Sequence, residues 1–193
     1  MYEYIKGSIS GLTPAGVVIE AAGVGYFLHI SVNTYSRLKG NEESKLFLHE
    51  VVREDAHLLY GFSDQVERDF FRLLISVNGI GASIAIMMLS SYLPDDLRDA
   101  ILTDNVNLLK SIKGIGAKTA QRVIIELKDK VGKGVASDRI LRSGNQVVRN
   151  EALSALEMLG FNKKAVENSI DQIMASKPDL TVEQLLKIAL KSF

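Results

Sequence analysis

Cysteine is absent from the 193-residue chain, which excludes disulfides and thiolate metal sites. Histidine is scarce. His29, His49 and His57 lie in strand-like stretches without the spacing of convergent metal ligands, so they read as structural, and no metal or other cofactor is expected. No apolar run reaches the ~18 residues that a membrane-spanning helix requires. The opening Met1-Tyr2-Glu3-Tyr4-Ile5-Lys6 lacks the apolar stretch of a secretory signal, and a cytoplasmic protein is expected. Net charge is missing as well, with 23 basic and 23 acidic residues. That balance argues against global attraction to nucleic acid but not against a local one, because a phosphate backbone feels charges within a Debye length of ~8–10 Å. What the chain does have is 47% hydrophobic residues, enough to build cores and to exclude a disordered chain.

The pattern along the chain divides into parts. Residues 1–62 read as β, with strand-like segments Tyr2–Ile9, Gly16–Ala21, Tyr26–Val32, Lys45–Val52 and His57–Tyr60. Turn signals at Thr13-Pro14-Ala15-Gly16, Ala22-Gly23-Val24-Gly25 and Gly40-Asn41 separate them. Several short strands in so few residues predict a small closed barrel of the OB-fold kind. Residues 63–131 read as helical. Ser63 or Asp64 can cap a helix carrying Val66, Phe70, Leu73 and Leu74, and Pro94-Asp95-Asp96 starts another. The stretch Lys118 to Lys130 places Val123, Ile124 and Leu127 on one face. Residues 132–147 hold Gly132, Gly134, Ser137, Ser143 and Gly144 among mostly polar residues, which suggests a flexible linker. Residues 148–193 then predict a three-helix mini-domain: Gly160 stops its first helix, Asn162 caps the second, Pro178 breaks before the third, and Thr181 with Gln184 makes a capping box. The expected fold is therefore multidomain α and β: an OB-fold-like barrel, a central helical domain, a linker and a helical tail.

The central part repeats itself. A shift of 35 positions overlays Leu73–Ala85 on Leu108–Ala120 with eight of 13 residues identical, including both copies of Gly-Ile-Gly-Ala. Two copies are too few to stack as a solenoid. The pattern predicts a helix, a tight hairpin and a second helix, occurring twice. Glycine permits positive φ and close approach of another backbone, while the isoleucine between the glycines anchors the hairpin inward. The following helix begins with unpaired N–H groups at the positive end of its dipole, a phosphate site that needs no base contact. Two such hairpins hold backbones without reading sequence. The candidate DNA-binding residues are Gly79, Gly81 and Ser83 in the first copy, and Gly114, Gly116, Lys118, Thr119 and Arg122 in the second. Between Asn105 and Lys133 seven basic residues face two acidic ones, a local charge of +5. Lys118 and Arg122, spaced i,i+4, share a helix face and are expected to clamp flanking phosphates.

Two resemblances to nucleotide sites fail. Gly114-Ile115-Gly116-Ala117-Lys118-Thr119 lacks the glycine directly before lysine that an NTPase phosphate loop requires, and Gly23-Val24-Gly25 lacks the third glycine of a dinucleotide site. ATP hydrolysis by this chain alone is not expected. A DNA-repair enzyme of the glycosylase or lyase type, built around the hairpins, is the alternative. It would need base flipping and a pocket nucleophile or carboxylate, for which Asp95, Asp96 and Lys118 are the candidates.

Paired Gly-Ile-Gly hairpins behind a β-barrel, the segment Val51-Val52-Arg53-Glu54-Asp55-Ala56-His57-Leu58-Leu59-Tyr60-Gly61-Phe62, and the tethered helical tail together resemble the RuvA family of Holliday-junction-binding subunits. The resemblance implies a non-catalytic homotetramer whose basic face holds an open four-way DNA junction. It implies partnership with the RuvB ATPase motor and the RuvC resolvase in branch migration. It also implies that Glu54 and Asp55 form an acidic pin, whose paired carboxylates would repel phosphates at the strand crossover. The tail is implied to recruit the motor, with Leu156, Leu159, Phe161 and Leu190 at the apolar positions that match; some of these could instead form the core of so small a domain. One departure stands out: the family often carries lysine after the first hairpin, where this chain has Ser83, leaving that hairpin to backbone N–H groups and a hydroxyl.

Overall fold

A computed structural model describes residues 2–138, 144–177 and 180–190. Two compact units divide the chain, residues 1–133 and 134–193. The first begins with strands β1 (Tyr4–Thr13), β2 (Gly16–Ala21) and β3 (Val24–Ile30), helix α1 (Val32–Leu38), and strands β4 (Glu43–Val52) and β5 (His57–Phe62). The strands close into a barrel in the order β1-β2-β3-β5-β4, with β3 and β5 parallel and the remaining neighbours antiparallel. Alternation puts Val17, Ile19, Leu28, Ile30, Leu46 and Leu48 inside the barrel, none more than 2% exposed. The OB-fold-like barrel is as expected, but α1 replaces what reads as the end of a strand at Tyr26–Val32. Ser31 caps that helix, its Oγ accepting from Thr34 N–H at 3.0 Å.

Helices α2 (Gln65–Ile75), α3 (Ala82–Ser91), α4 (Pro94–Leu102), α5 (Val106–Lys110) and α6 (Ala117–Asp138) follow. Of the two possible caps for α2, Asp64 is the one used: its Oδ1 accepts from Glu67 N–H at 2.8 Å. The barrel and these helices are joined by continuous packing. Phe71 of α2 lies with its ring 5.0–5.3 Å from those of Phe62, Tyr60 and His49. Beside it, the buried Glu67 carboxylate accepts hydrogen bonds from Ser31 and Thr34 of the barrel, the latter at 2.7 Å. Burial pushes the Glu67 carboxyl above the usual carboxylate range, and the two hydroxyls oppose that rise. Arg68, also buried, pairs with Glu3 and Asp69. These ties make the barrel a rigid base for the helices.

The second unit carries α7 (Gly144–Met158), α8 (Lys163–Ser176) and α9 (Val182–Ala189) around a core of Ala152, Leu156, Val166, Ile170, Leu185 and Ala189. Arg149 grips Asp171 with two hydrogen bonds of 2.6 and 2.9 Å, fastening α7 to α8. The expected caps are present: Asn162 Oδ1 accepts from Lys164 and Ala165 N–H, and Thr181 with Gln184 forms a capping box. Gly160, at φ +92°, ends the first helix of the unit. Helical backbone reaches further into the expected linker than its composition suggests, because α6 continues to Asp138 and α7 begins at Gly144. Linker positions 139–143 and the predicted break at Pro178 lie outside the described residues. Among the described residues, no helix is long and apolar enough to cross a membrane.

Candidate nucleic-acid interface

The sequence repeat is a repeat of backbone hydrogen bonds. In the first hairpin, Ser76, Val77 and Ile80 N–H donate to the carbonyls of Leu73, Leu74 and Val77 at 3.0–3.2 Å. In the second, Ser111, Ile112 and Ile115 N–H donate to Leu108, Leu109 and Ile112 at 3.1–3.2 Å. The Ser76 and Ser111 hydroxyls each turn back onto the carbonyl three residues earlier at 2.7 Å. Ile80 and Ile115 point inward, 5% and 6% exposed, over the buried Val77 and Ile112. Each hairpin is thus a short loop pinned by one apolar side chain, and the helix after it starts at the surface.

The four glycines divide into two kinds. Gly79 and Gly114 both sit at φ +94°, the left-handed region that a side chain resists, so the turn itself requires them. Gly81 caps α3 at φ −87°, and Gly116 is likewise outside the left-handed region. A Cβ added at Gly81 or Gly116 would meet nothing within 4 Å. Neither backbone conformation nor internal packing asks for glycine there. Gly81 supplies no side-chain cap to α3, so the first N–H groups of that helix receive no capping side chain. The arrangement leaves open space directly in front of a positive helix end, twice, at equivalent positions.

The side chains beside the hairpins are less alike. Ser83 and Lys118 are exposed, and Thr119 is half-buried. Arg122 does not stand free beside Lys118 as a phosphate clamp: its Nη1 donates to the Asn78 carbonyl of the first hairpin at 3.1 Å, and its Nε lies 3.9 Å from Glu126. Lys128 pairs with Asp104 at 2.6 Å, which removes part of the local positive excess. Lys110 and Lys113 are exposed on the approach to the second hairpin. Glu54 and Asp55 are exposed on the β4–β5 turn, which is closed by Arg53 N–H donating to the Ala56 carbonyl at 2.8 Å. Two of the three residues that a repair enzyme would draw on, Asp95 and Asp96, are engaged elsewhere. Asp95 pairs with Arg98 on the surface of α4, and Asp96 Oδ2 accepts from Leu93 N–H at 3.2 Å as a helix cap.

In the second unit, Leu156 is fully enclosed in the core and presents no surface, so its expected place among the motor contacts is corrected to a core position. Phe161 is half-buried against that core, whereas Leu159 and Leu190 are 63% and 44% exposed. Met158, next to Leu159 in the chain, is an exposed apolar residue too, at 89%, and was not singled out by the sequence. The one signal for it was its place next to Leu159 in the last turn of α7.

An OB-like barrel carrying two equivalent hairpins, each followed by a helix start, defines a class: tandem helix-hairpin-helix proteins suited to nucleic-acid backbones. Family models agree and go further. The RuvA N-terminal domain matches residues 1–61, the SAM-like helix-hairpin-helix tandem matches residues 71–129, and the RuvA C-terminal domain matches residues 147–192. A Holliday junction branch migration complex subunit RuvA from Bacteroides fragilis is 47% identical over 199 residues, covering 99% of each chain. Its counterpart from Flavobacterium psychrophilum is 47% identical over 192 residues, covering both chains completely, and that from Christiangramia forsetii is 46% identical over 191. The chain belongs to the RuvA family.

Proposed function

We propose that this chain is a non-catalytic subunit that binds four-way DNA junctions by their backbones, holds them open as a homotetramer, and brings the RuvB ATPase motor to them for branch migration. The observation that carries the proposal is the pair Gly81 and Gly116. Both lack an internal reason to be glycine, and both stand at the start of a helix, of which α3 has no side-chain cap. A phosphate is the group that such a site accommodates, and its approach is what a side chain would block. Gly79, Gly81 and Ser83 then form one contact, and Gly114, Gly116, Lys118 and Thr119 the other. Glu54 and Asp55 act as the acidic pin, repelling phosphates where strands separate.

Tetramer formation is supported by an apolar groove of about 530 Å³ between the barrel and α3, lined by residues including Pro14, His29, Val32, Tyr60 and Met87. A surface of this kind is stabilised when a neighbouring copy covers it. Leu159 and Leu190, with Met158, are the motor-facing residues, and the RuvC resolvase is a further partner on the assembled junction. The protein acts in the cytoplasm and works without a cofactor of its own. The test is a chain truncated before Asn150, assayed with junction DNA and the motor. Junction binding should survive while stimulation of branch migration disappears. Loss of junction binding, or retained stimulation, would refute the division of labour.

A further inference from the structure

The two hairpins are fastened to each other from opposite sides. From the second repeat, α6 reaches across 44 positions to put Arg122 Nη1 on the Asn78 carbonyl at 3.1 Å, and Lys130 Nζ lies 3.5 Å from Ser76 Oγ. From the first repeat, Ile84 of α3 reaches back, its Cγ1 3.8 Å from where a Cβ on Gly114 would sit. These ties are not copies of one another. The 35-residue shift maps Arg122 onto Met87 and Ile84 onto Thr119. Met87 instead lines the groove against the barrel. The first repeat already rests on the barrel through α2, so only its hairpin tip needs an anchor from the second repeat.

The Asn78 carbonyl lies just beyond the C-terminal end of α2, where helix carbonyls leave a negative pole that a guanidinium complements. Asn78 immediately precedes Gly79, the φ +94° pivot of the hairpin. A bond at that carbonyl therefore holds the loop whose next residues form the first helix start. Glu126 lies on the Nε side of Arg122, at 3.9 Å, and leaves Nη1 to the hairpin. Two helix starts can meet two phosphates at once only if their separation is set before binding, because a loose hairpin must be ordered at the expense of affinity.

We infer that Arg122 is a positioning residue that fixes the first hairpin relative to the second, and is not itself one of the phosphate contacts. This rests on reading the hairpins as the backbone-contacting elements. Of the pair Lys118 and Arg122, it is Lys118, one turn earlier on α6, that is left to face a phosphate.

Salt dependence separates the two roles, because each lost phosphate contact lowers the slope of log K against log salt by about 0.9. Full-length chain, Lys118→Ala, Arg122→Ala and Arg122→Met are titrated with a four-way junction across a salt series by fluorescence anisotropy. Amide hydrogen exchange is followed in the same proteins without DNA. Lys118→Ala should flatten the slope and leave exchange in the first hairpin unchanged. Both Arg122 variants should weaken binding roughly three- to tenfold, as for loss of one ordinary, partly exposed hydrogen bond. They should keep a near-normal slope and speed exchange at Gly79–Ala82. Arg122→Met retains the methylene stem, so it isolates the lost donor from lost packing. A slope flattened as far as in Lys118→Ala, or unchanged exchange in both Arg122 variants, would overturn the inference. If Lys118→Ala leaves the slope intact, the phosphate reading of the hairpins fails, and the exchange result still decides whether Arg122 ties them.

Discussion

Replacing the hairpin glycines by alanine, one kind at a time, separates what the fold needs from what the ligand needs. Gly79 and Gly114 occupy φ +94°. Alanine there incurs a left-handed backbone penalty of about 1–2 kcal/mol per site. The double variant Gly79→Ala/Gly114→Ala should thus lose roughly 2–4 kcal/mol, provided the two sites act independently. At about 2–4 °C per kcal/mol for a unit of this size, its thermal midpoint should fall by several degrees or more. Gly81 at φ −87° and Gly116 carry no such strain, and an added Cβ meets nothing. The remaining cost in Gly81→Ala/Gly116→Ala is a poorer helix cap, at most about 1 kcal/mol per site. That methyl group, however, projects into the space in front of the first N–H groups. A hydrogen bond to a charged oxygen contributes about 1.5–3 kcal/mol, so blocking one per hairpin should weaken junction binding at least tenfold. Differential scanning calorimetry and an anisotropy titration on the same samples give both readouts. If Gly81→Ala/Gly116→Ala binds the junction like the unaltered chain, the assignment of the helix starts as phosphate sites is wrong.

Four other outcomes follow from the structure. The Glu67 carboxyl, raised by burial, makes a contribution to stability that is complete below the ordinary carboxylate pKa and is lost as pH rises through its higher folded value. The stability of the unaltered chain relative to Glu67→Gln should therefore decline from pH 4 toward pH 7, and a difference that rises with pH in urea titrations would contradict this. Glu54→Gln/Asp55→Asn should raise affinity for linear duplex more than for a junction, and unchanged selectivity in a gel-shift series would exclude a pin role. Leu156→Ala should destabilise the second unit by about 2–5 kcal/mol as a core cavity. Met158→Ala/Leu159→Ala, on exposed positions, should leave stability within roughly 0.5 kcal/mol and abolish motor stimulation, and full stimulation would move the contact elsewhere.

The legible parts of this protein were those set by local rules. The hairpins were readable because their hydrogen bonds span three residues, and the 35-residue repeat displayed the same rule twice. The caps at Asp64, Asn162 and Thr181 depend on side chains acting within a turn, and their residue types announced them. Helix α1 was missed because Val32 and its neighbours also suit a strand. What favours the helix is the burial of Ser31 and Thr34 against Glu67, more than thirty positions away. The role of Arg122 was hidden for the same reason: its i,i+4 spacing from Lys118 suggested a shared phosphate face, while its partner is a backbone carbonyl 44 residues upstream. Leu156 and Leu159 are both apolar positions on the last turns leading to Gly160. Only the packing of α8 and α9 decides that the first is enclosed and the second exposed.

The central claim is that two sequence-blind hairpins and an acidic turn together select a four-way junction. Its most direct test is competition: labelled junction bound to the full chain is challenged with unlabelled junction or linear duplex of equal length and composition at matched salt. The account predicts that junction displaces the label at far lower concentration than duplex, and that permuting the arm sequences changes nothing. Equal competition by duplex, or a strong dependence on arm sequence, would contradict it.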